Sequence, residues 1–364
     1  PHKWYWNLTA TAQNLTVGHE ALKDHLKINE GTLLITTERV RETARNTIKI
    51  KSMDLHWGDN HLSLTGMMDL SAREVLTKLN VDADSLDWDQ INTLLEYIAE
   101  KKKRAVRHQG SDRMLGTIKV KSAGFKWDSF IVRPLEADIT FQPDKVLLTV
   151  NRADICGISI RGLLNFTDQT VDLYLVPTAV NGKLVSTLSC LTAKKDMATG
   201  TYNLNGEILA KAKPEAVSRS LTGTLAFSAE EGRIYRFGLL AKLLAILNVT
   251  EIYRGEIPDL TGEGFAYHGM TANARLQGGK IIMEECSIDG VAMGIACEGE
   301  IDYVEKQINL LILVAPFKTV DRIVEILPLI GNVLGGKLIS IPFKAKGDLG
   351  DPDVYPLPPT AVGS

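Results

Sequence analysis

The chain has 364 residues, 45% of them hydrophobic and 6% aromatic, enough for two or three compact domains or one elongated body. Its formal net charge of −3 gives no electrostatic basis for binding nucleic acid. No apolar run reaches the ~18–20 residues that a membrane-spanning helix needs, and the longest, Phe237 to Leu247, is interrupted by Lys242. No signal peptide is visible, and the chain opens on Pro1 rather than Met, so a processed product or a fragment is expected.

The first segment, Trp4 to Leu70, reads as strand-rich, with short β-prone runs at Leu8–Leu15 and Leu33–Thr37. Ile48, Ile50, Met53, Leu55 and Trp57 lead into a Gly58-Asp59-Asn60 turn, and Leu62, Leu64, Gly66 and Met68 lead away from it. Ser71 with Glu74 resembles a capping box and predicts a helix over 72–79. A second helix is expected over 88–103, starting near Asp87, because Ile91, Leu94, Leu95 and Ile98 make one apolar stripe. Lys101 to Arg104 end it, where cations suit the helix dipole. A solvated helix end is the plain reading of that basic run, and contact with anionic headgroups the sharper one.

The strand–turn–strand unit then recurs. Ile118, Val120, Trp127, Leu135, Ala137, Ile139 and Phe141 precede a Pro143-Asp144 turn. Val146, Leu148 and Val150 run toward a turn at Cys156-Gly157, read as a three-residue loop from Ile155 that keeps Val146, Leu148, Ile158 and Ile160 on one face. Val171, Leu173 and Leu175 follow, then Tyr202 to Ile208 and Leu221 to Phe227, the last with Leu225 and Phe227 on one parity. Glu231-Gly232 is expected to turn the chain into a helix over 236–248, apolar on more than one stripe and therefore buried. A hairpin follows with its turn at Asp289-Gly290 and with Val291, Met293, Ile295, Cys297 and Ile301 on one face. Ile308, Leu310, Ile312 and Val314 make the next strand. A helix over 320–327, broken by Pro328 and ended by Gly335-Gly336, separates it from Ile339, Ile341, Phe343 and Ala345. The tail beyond Asp351 is Pro-rich and expected to be extended.

LEADITFQPDKVLLTVNRADICGISIRGLLNF, from Leu135, matches MTANARLQGGKIIMEECSIDGVAMGIACEGEI, from Met270, through the first turn and the strand after it. The later turn and the late glycines Gly162 and Gly299 match only after small shifts, and Trp4–Leu70 is a looser third copy. The organisation read from this is one continuous β body over 1–364, with sub-repeats over about 1–110, 113–215 and 220–356 and an extended tail over 357–364.

Chemistry-bearing constellations are thin. With a tight turn at Asp289-Gly290, Cys297 falls four residues past the partner of Cys286, roughly 13 Å along the strand, so these two are expected to be unpaired. Spacing leaves open whether Cys156 pairs with Cys190. No Cys/His spacing suggests zinc, and His56 and His61, flanking a turn, read as solvated. Glu298 and Glu300 point away from the apolar parity, and no Ser or Cys has a neighbouring base. No catalytic residue, metal ligand or cofactor is expected. The N-x-[ST] tripeptides at Asn7, Asn14, Asn165 and Asn248 are of a kind that arises by chance.

From Leu221 onward the chain resembles the C-terminal region of bacterial AsmA-family proteins. The resemblance rests on LTGTLAFSAEEGRIYRFGLLAKLLAILN, EIYRGEIPDLTGEGFAYHGM, the Gly279–Asp302 hairpin, LLILVAPFKTVDRIVEILPLIGNVLGG and SIPFKAKGDLGDPDVYPL, in that order. It implies a bridge-like lipid-transfer protein with its β-rich body in the periplasm. The implied partners are phospholipid or another acyl lipid, the inner membrane through an N-terminal anchor absent from this chain, and outer-membrane or other envelope proteins.

The apolar parity alone fits one face of a closed sandwich. The in-line repeats, the few helices and the resemblance favour an elongated, twisted antiparallel sheet, mostly β, curved into an apolar groove. The expected groove residues are Val146, Leu148, Ile158, Ile160, Leu173, Leu225, Phe227, Met293, Ile295, Leu310, Ile312, Ile339 and Ile341. Leu240, Leu243, Leu244, Leu247, Ile323 and Leu327 are expected to cap it, as a gate or as a fixed plug. A lipid conduit between inner and outer membranes is the function expected. The alternative is an envelope assembly scaffold whose apolar face packs on a protein partner.

Overall fold

Side chains that alternate between apolar and polar commit a segment to extended backbone, and most of this chain alternates. The computed structural model describes residues 3–18, 22, 24–40, 43–71, 74–105, 113–192, 194–235, 238–250, 264–316 and 340–358. The protein is mostly β, with 19 strands in one hydrogen-bonded sheet, and it is not a barrel. Backbone contacts divide it into two units, the first holding 1–155 and 159–171 and the second 156–158 and 172–364.

In the first unit β1 (Lys3–Val17), β2 (Leu26–Val40), β3 (Thr43–Trp57), β4 (Asn60–Leu70) and β5 (Glu74–Asp87) form an antiparallel meander. After α1 (Trp88–Ala105), β6 (Arg113–Ser122) and β7 (Phe125–Trp127) pair parallel to β5. Parallel neighbours cannot be joined by a tight turn, and α1 supplies the crossover. Antiparallel order then resumes with β8 (Phe130–Phe141), β9 (Lys145–Ile155) and β10 (Ile158–Thr167). Cys156 and Gly157 both take positive φ, 57° and 83°, which makes the β9–β10 link a two-residue turn rather than the three-residue loop expected.

The helix expected over 72–79 is instead the start of β5. Ser71 Oγ does accept the Glu74 N–H, at 3.1 Å, but Ser71 N–H also donates to the Glu74 carbonyl at 2.9 Å, closing a hairpin turn. Beyond it Val75, Leu79 and Val81 lie at odd positions among polar neighbours, a strand period that overrides the capping signal. The helix expected near Asp87 does form. Asp87 Oδ1 caps it, accepting the Asp89 and Gln90 N–H groups at 2.9 and 3.3 Å, while Oδ2 meets Lys126 Nζ at 2.8 Å. Buried Asn60, from the β3–β4 turn, accepts the Asp87 N–H at 2.7 Å and donates to Gln90 Oε1 at 2.8 Å. Turn and helix start are therefore one hydrogen-bonded assembly.

The second unit contains β11 (Val171–Lys183), α2 (Leu184–Thr192), β12 (Thr201–Ala212), the single turn α3 (Val217–Ser220) and β13 (Thr222–Ile234). It continues with α4 (Gly238–Thr250), β14 (Phe265–Gln277), β15 (Lys280–Gly290), β16 (Met293–Asp302), β17 (Gln307–Pro316), β18 (Ile341–Asp348) and β19 (Asp353–Pro356). Every pairing from β12 to β19 is antiparallel. Glu231-Gly232 does not end its strand: Glu231 takes φ 46° and β13 continues to Ile234. The helix expected over 320–327, with Pro328 and Gly335-Gly336, lies outside the described residues.

Cys156 and Cys190 form a disulfide with Cα atoms 5.5 Å apart, tying the residue that opens the β9–β10 turn to α2. Thr187 Oγ1 donates to the Cys156 carbonyl at 2.8 Å beside it.

Two stability measurements check these anchors. Burial pushes the Asp87 carboxyl up, but the Lys126 ammonium and the two capping N–H groups outweigh it and hold it below the usual carboxylate range. Its contribution is therefore present above the ordinary aspartate pKa of about 3.9 and lost as pH falls through the depressed folded value. Asp87→Ala is expected to cost about 1–2 kcal/mol at pH 7 in denaturant unfolding, with the gap from wild type closing at acid pH. Replacing both Cys156 and Cys190 by Ala releases a 34-residue separation and is expected to cost about 2–4 kcal/mol in the same measurement.

Candidate apolar ligand site

Strand register decides which side chains share a face. In the second unit Phe227 stands opposite Ala272, Ala272 opposite Cys286, Cys286 opposite Cys297, Cys297 opposite Ile312 and Ile312 opposite Phe343. The same ladders put Leu225, Met270, Met283, Ile288, Met293, Ile295, Leu310, Val314 and Ile341 on that face. Seven of the expected groove residues are thus co-facial: Leu225, Phe227, Met293, Ile295, Leu310, Ile312 and Ile341.

Helix α4 lies over this face, with Leu240, Leu243, Leu244 and Leu247 each only 3–4% exposed, in one cluster with Ile295, Leu310, Ile312 and Phe343. The single charge in its middle does not face solvent alone. Lys242 Nζ reaches Asp351 Oδ1 at 2.5 Å and the Pro352 carbonyl at 2.8 Å, clamping the helix to the segment before β19.

Between sheet and helices remains a cavity of about 390 Å³. Phe227, Met270, Met283, Ile288, Ile295 and Ile312 form its sheet wall; Leu184 and Leu188 of α2 and Leu239, Leu240 and Leu243 of α4 form the other. Thr271 and Ser287, the hydroxyl residues of the wall, bond to each other at 2.7 Å. The cavity thus offers contact area and almost no hydrogen-bonding groups, which suits a flexible hydrocarbon and no polar reactant.

Cys286 and Cys297 belong to this wall and are paired, against expectation, with Cα atoms 4.9 Å apart. The error lay in the turn. The strands run to Gly290 and from Met293, so the link is Val291-Ala292, and moving the turn by two residues shifts the register by the four residues that had separated the cysteines.

The first unit carries its own apolar face. Register aligns Ile35 with Ile48 and Met68, Leu79 with Ile118, and Ile118 with Ile139 and Leu148. Val146 joins this face opposite Phe141, and most of these side chains are only half-buried. Helix α1 packs chiefly on β5 and β7. Ile158 and Ile160 are half-buried on β10, and Leu173 is buried on β11. Ile323, Leu327 and Ile339 lie outside the described residues.

Residues that sequence reasoning missed are Leu184, Leu188, Met197, Ala198, Ile234, Met270 and Met283. The available signal was LVSTLSCLT over 184–192, a short apolar helix whose buried positions are Leu184 and Thr187. Among the described residues the one carboxylate–imidazole group close enough to share an ion is Asp54, His56 and His61, on the other face of the first unit. No described helix is long and apolar enough to cross a membrane. Comparison with protein-family models, with curated proteins and with solved structures finds no match.

Packing predicts a contrast. Phe343, 1% exposed and outside the cavity wall, is expected to cost about 3–5 kcal/mol on truncation to Ala, whereas Met270→Ala, which only enlarges an existing cavity, should cost less than half as much in denaturant unfolding.

Proposed function

We propose that this chain is a lipid-binding module, not an enzyme, and that it carries acyl chains along the apolar faces of its sheet. The observation that supports the reading most strongly is the 390 Å³ cavity, walled mostly by aliphatic, methionine and cysteine side chains. Uncovered apolar surface in water costs roughly 25 cal/mol per Å², so a face left half-buried over many strands favours an apolar occupant. Apolar contact is non-directional. A chain sliding over successive Ile, Leu, Val and Met positions meets a shallow energy profile, which suits a conduit better than a tight receptor.

In this reading phospholipid is the cargo, and the module works in the bacterial periplasm between inner and outer membranes, attached through a segment outside this chain. Two disulfides support an oxidising compartment. The resemblance of the last third of the chain to AsmA-family proteins supports the direction. Helix α4, clamped through Lys242, acts as a fixed cover for the cavity rather than a moving gate.

Organic extraction of the purified chain followed by mass spectrometry tests the proposal: acyl lipid is expected in near-stoichiometric amount. Met283→Arg places a cation in the partly exposed wall and is expected to abolish lipid retention with the thermal transition preserved. A lipid-free extract from wild type, or undiminished lipid in Met283→Arg, would overturn it.

A further inference from the structure

The polar face of the first unit holds a cluster that lipid binding does not use. His56 and His61 are direct partners across the β3–β4 hairpin, and their rings stack with centroids 3.9 Å apart. Asp54 lies two residues before His56, hence on the same face, and its Oδ1 is 3.1 Å from His61 Nε2. The ligand atoms of Asp54, His56 and His61 all lie within 4.8 Å of one another.

Two β-bulges hold the cluster in place. Register shifts leave Asn29 as the extra residue of β2 and Asp84 as the extra residue of β5. Bulges re-aim side chains, and both do so here. Asn29 Nδ2 donates to Asp54 Oδ2 at 3.1 Å, which orients the carboxylate with Oδ1 toward the imidazole. Asp84 Oδ2 lies 2.7 Å from His61 Nδ1 on the other side of the ring.

This arrangement has a consequence for His61. A neutral imidazole carries one N–H. With Asp84 against Nδ1, His61 presents Nε2 toward Asp54 Oδ1 at 3.1 Å, so the atom that would ligate an ion already faces the carboxylate. A carboxylate behind a histidine whose far nitrogen faces open ligand atoms is the outer-shell pattern of metal-bound imidazole. Two imidazoles and one carboxylate suit zinc and its first-row neighbours. Bond lengths of about 2.0–2.2 Å require the ligand atoms to settle roughly 3.3 Å apart, a rotamer adjustment that part-exposed side chains can make.

We propose that Asp54, His56 and His61 form a binding site for a divalent transition-metal ion of the zinc class, with Asp84 and Asn29 as orienting residues. Three protein ligands leave a coordination position for water or an external donor. The ion would pin the β3–β4 hairpin on the face opposite the apolar one.

Isothermal titration of the full chain with Zn²⁺, after treatment with chelator, tests this. One equivalent is expected to bind, with visible d–d absorption when Co²⁺ replaces zinc. His61→Asn and His56→Asn should each weaken binding at least tenfold, and Asp84→Asn by about 10–100-fold through loss of the carboxylate that orients the His61 ring. Thermal unfolding in chelator controls for fold. The pair of histidine variants covers the case in which one fails to fold, since His56 makes no hydrogen bond to Asp54 or Asp84 that folding could depend on. Absence of a one-equivalent isotherm in wild type overturns the proposal, as does unchanged affinity in whichever histidine variant folds, which would mark zinc as adventitious.

Discussion

The constraint on which this structure depends is the pleat. A strand sends successive side chains to opposite faces, so a chain that alternates apolar and polar residues makes a sheet with one face that water does not favour. Each unit answers differently. In the second, α2 and α4 bring leucines down onto the sheet, and Val314, Phe343 and Ala345 lose essentially all exposure. In the first, α1 is taken up as the crossover that a parallel β5–β6 pair requires and packs chiefly on β5 and β7. The half-buried face of the first unit is thus a consequence of topology as well as of composition.

Long strands also have to keep their alternation in step. Several here exceed ten residues, and twist makes a perfect ladder of that length hard to maintain. The chain inserts single extra residues. One in β3 lies between Ile50 and Met53, and one in β15 between Met283 and Cys286. Both sit beside a glycine in the partner strand, Gly66 opposite Ile50 and Gly299 opposite Met283, at φ 136° and 132°. A Cβ on either would collide with a backbone carbonyl of the next strand, Lys78 or Asn309. The same device in both units is structural support for a repeated architecture.

Much of this was legible. The strand-rich character, α1, α4 and the turns after Trp57, Phe141 and Ile155 follow from period and turn chemistry alone. The capping pair Ser71 and Glu74 misled because a Ser hydroxyl accepting an N–H three residues on closes a hairpin turn as readily as it starts a helix. Helix α2 was missed because nine residues over 184–192 between two strands give too short a window for a helical stripe. The histidine cluster was dismissed from linear spacing, although a two-residue turn after Trp57 makes His56 and His61 cross-strand neighbours by arithmetic.

The cysteine error shows where more could have been read. In β15 Ile281 and Met283 fall on odd numbers and Cys286 and Ile288 on even ones, with Ile282 the apolar residue off the pattern. A one-residue slip would turn every following side chain to the wrong face, so a switch of parity inside an apolar-faced strand demands an extra residue at the switch. The same switch separates Ile50 from Met53, and there too a bulge stands. With the turn at Val291-Ala292, Ile288 pairs with Ile295 on the buried face, and the same register brings Cys286 opposite Cys297. The disulfide is thus the outcome of register rather than its cause: the hydrophobic face sets the alignment, and the two sulfurs lie within bonding reach because that alignment leaves them nowhere else to be.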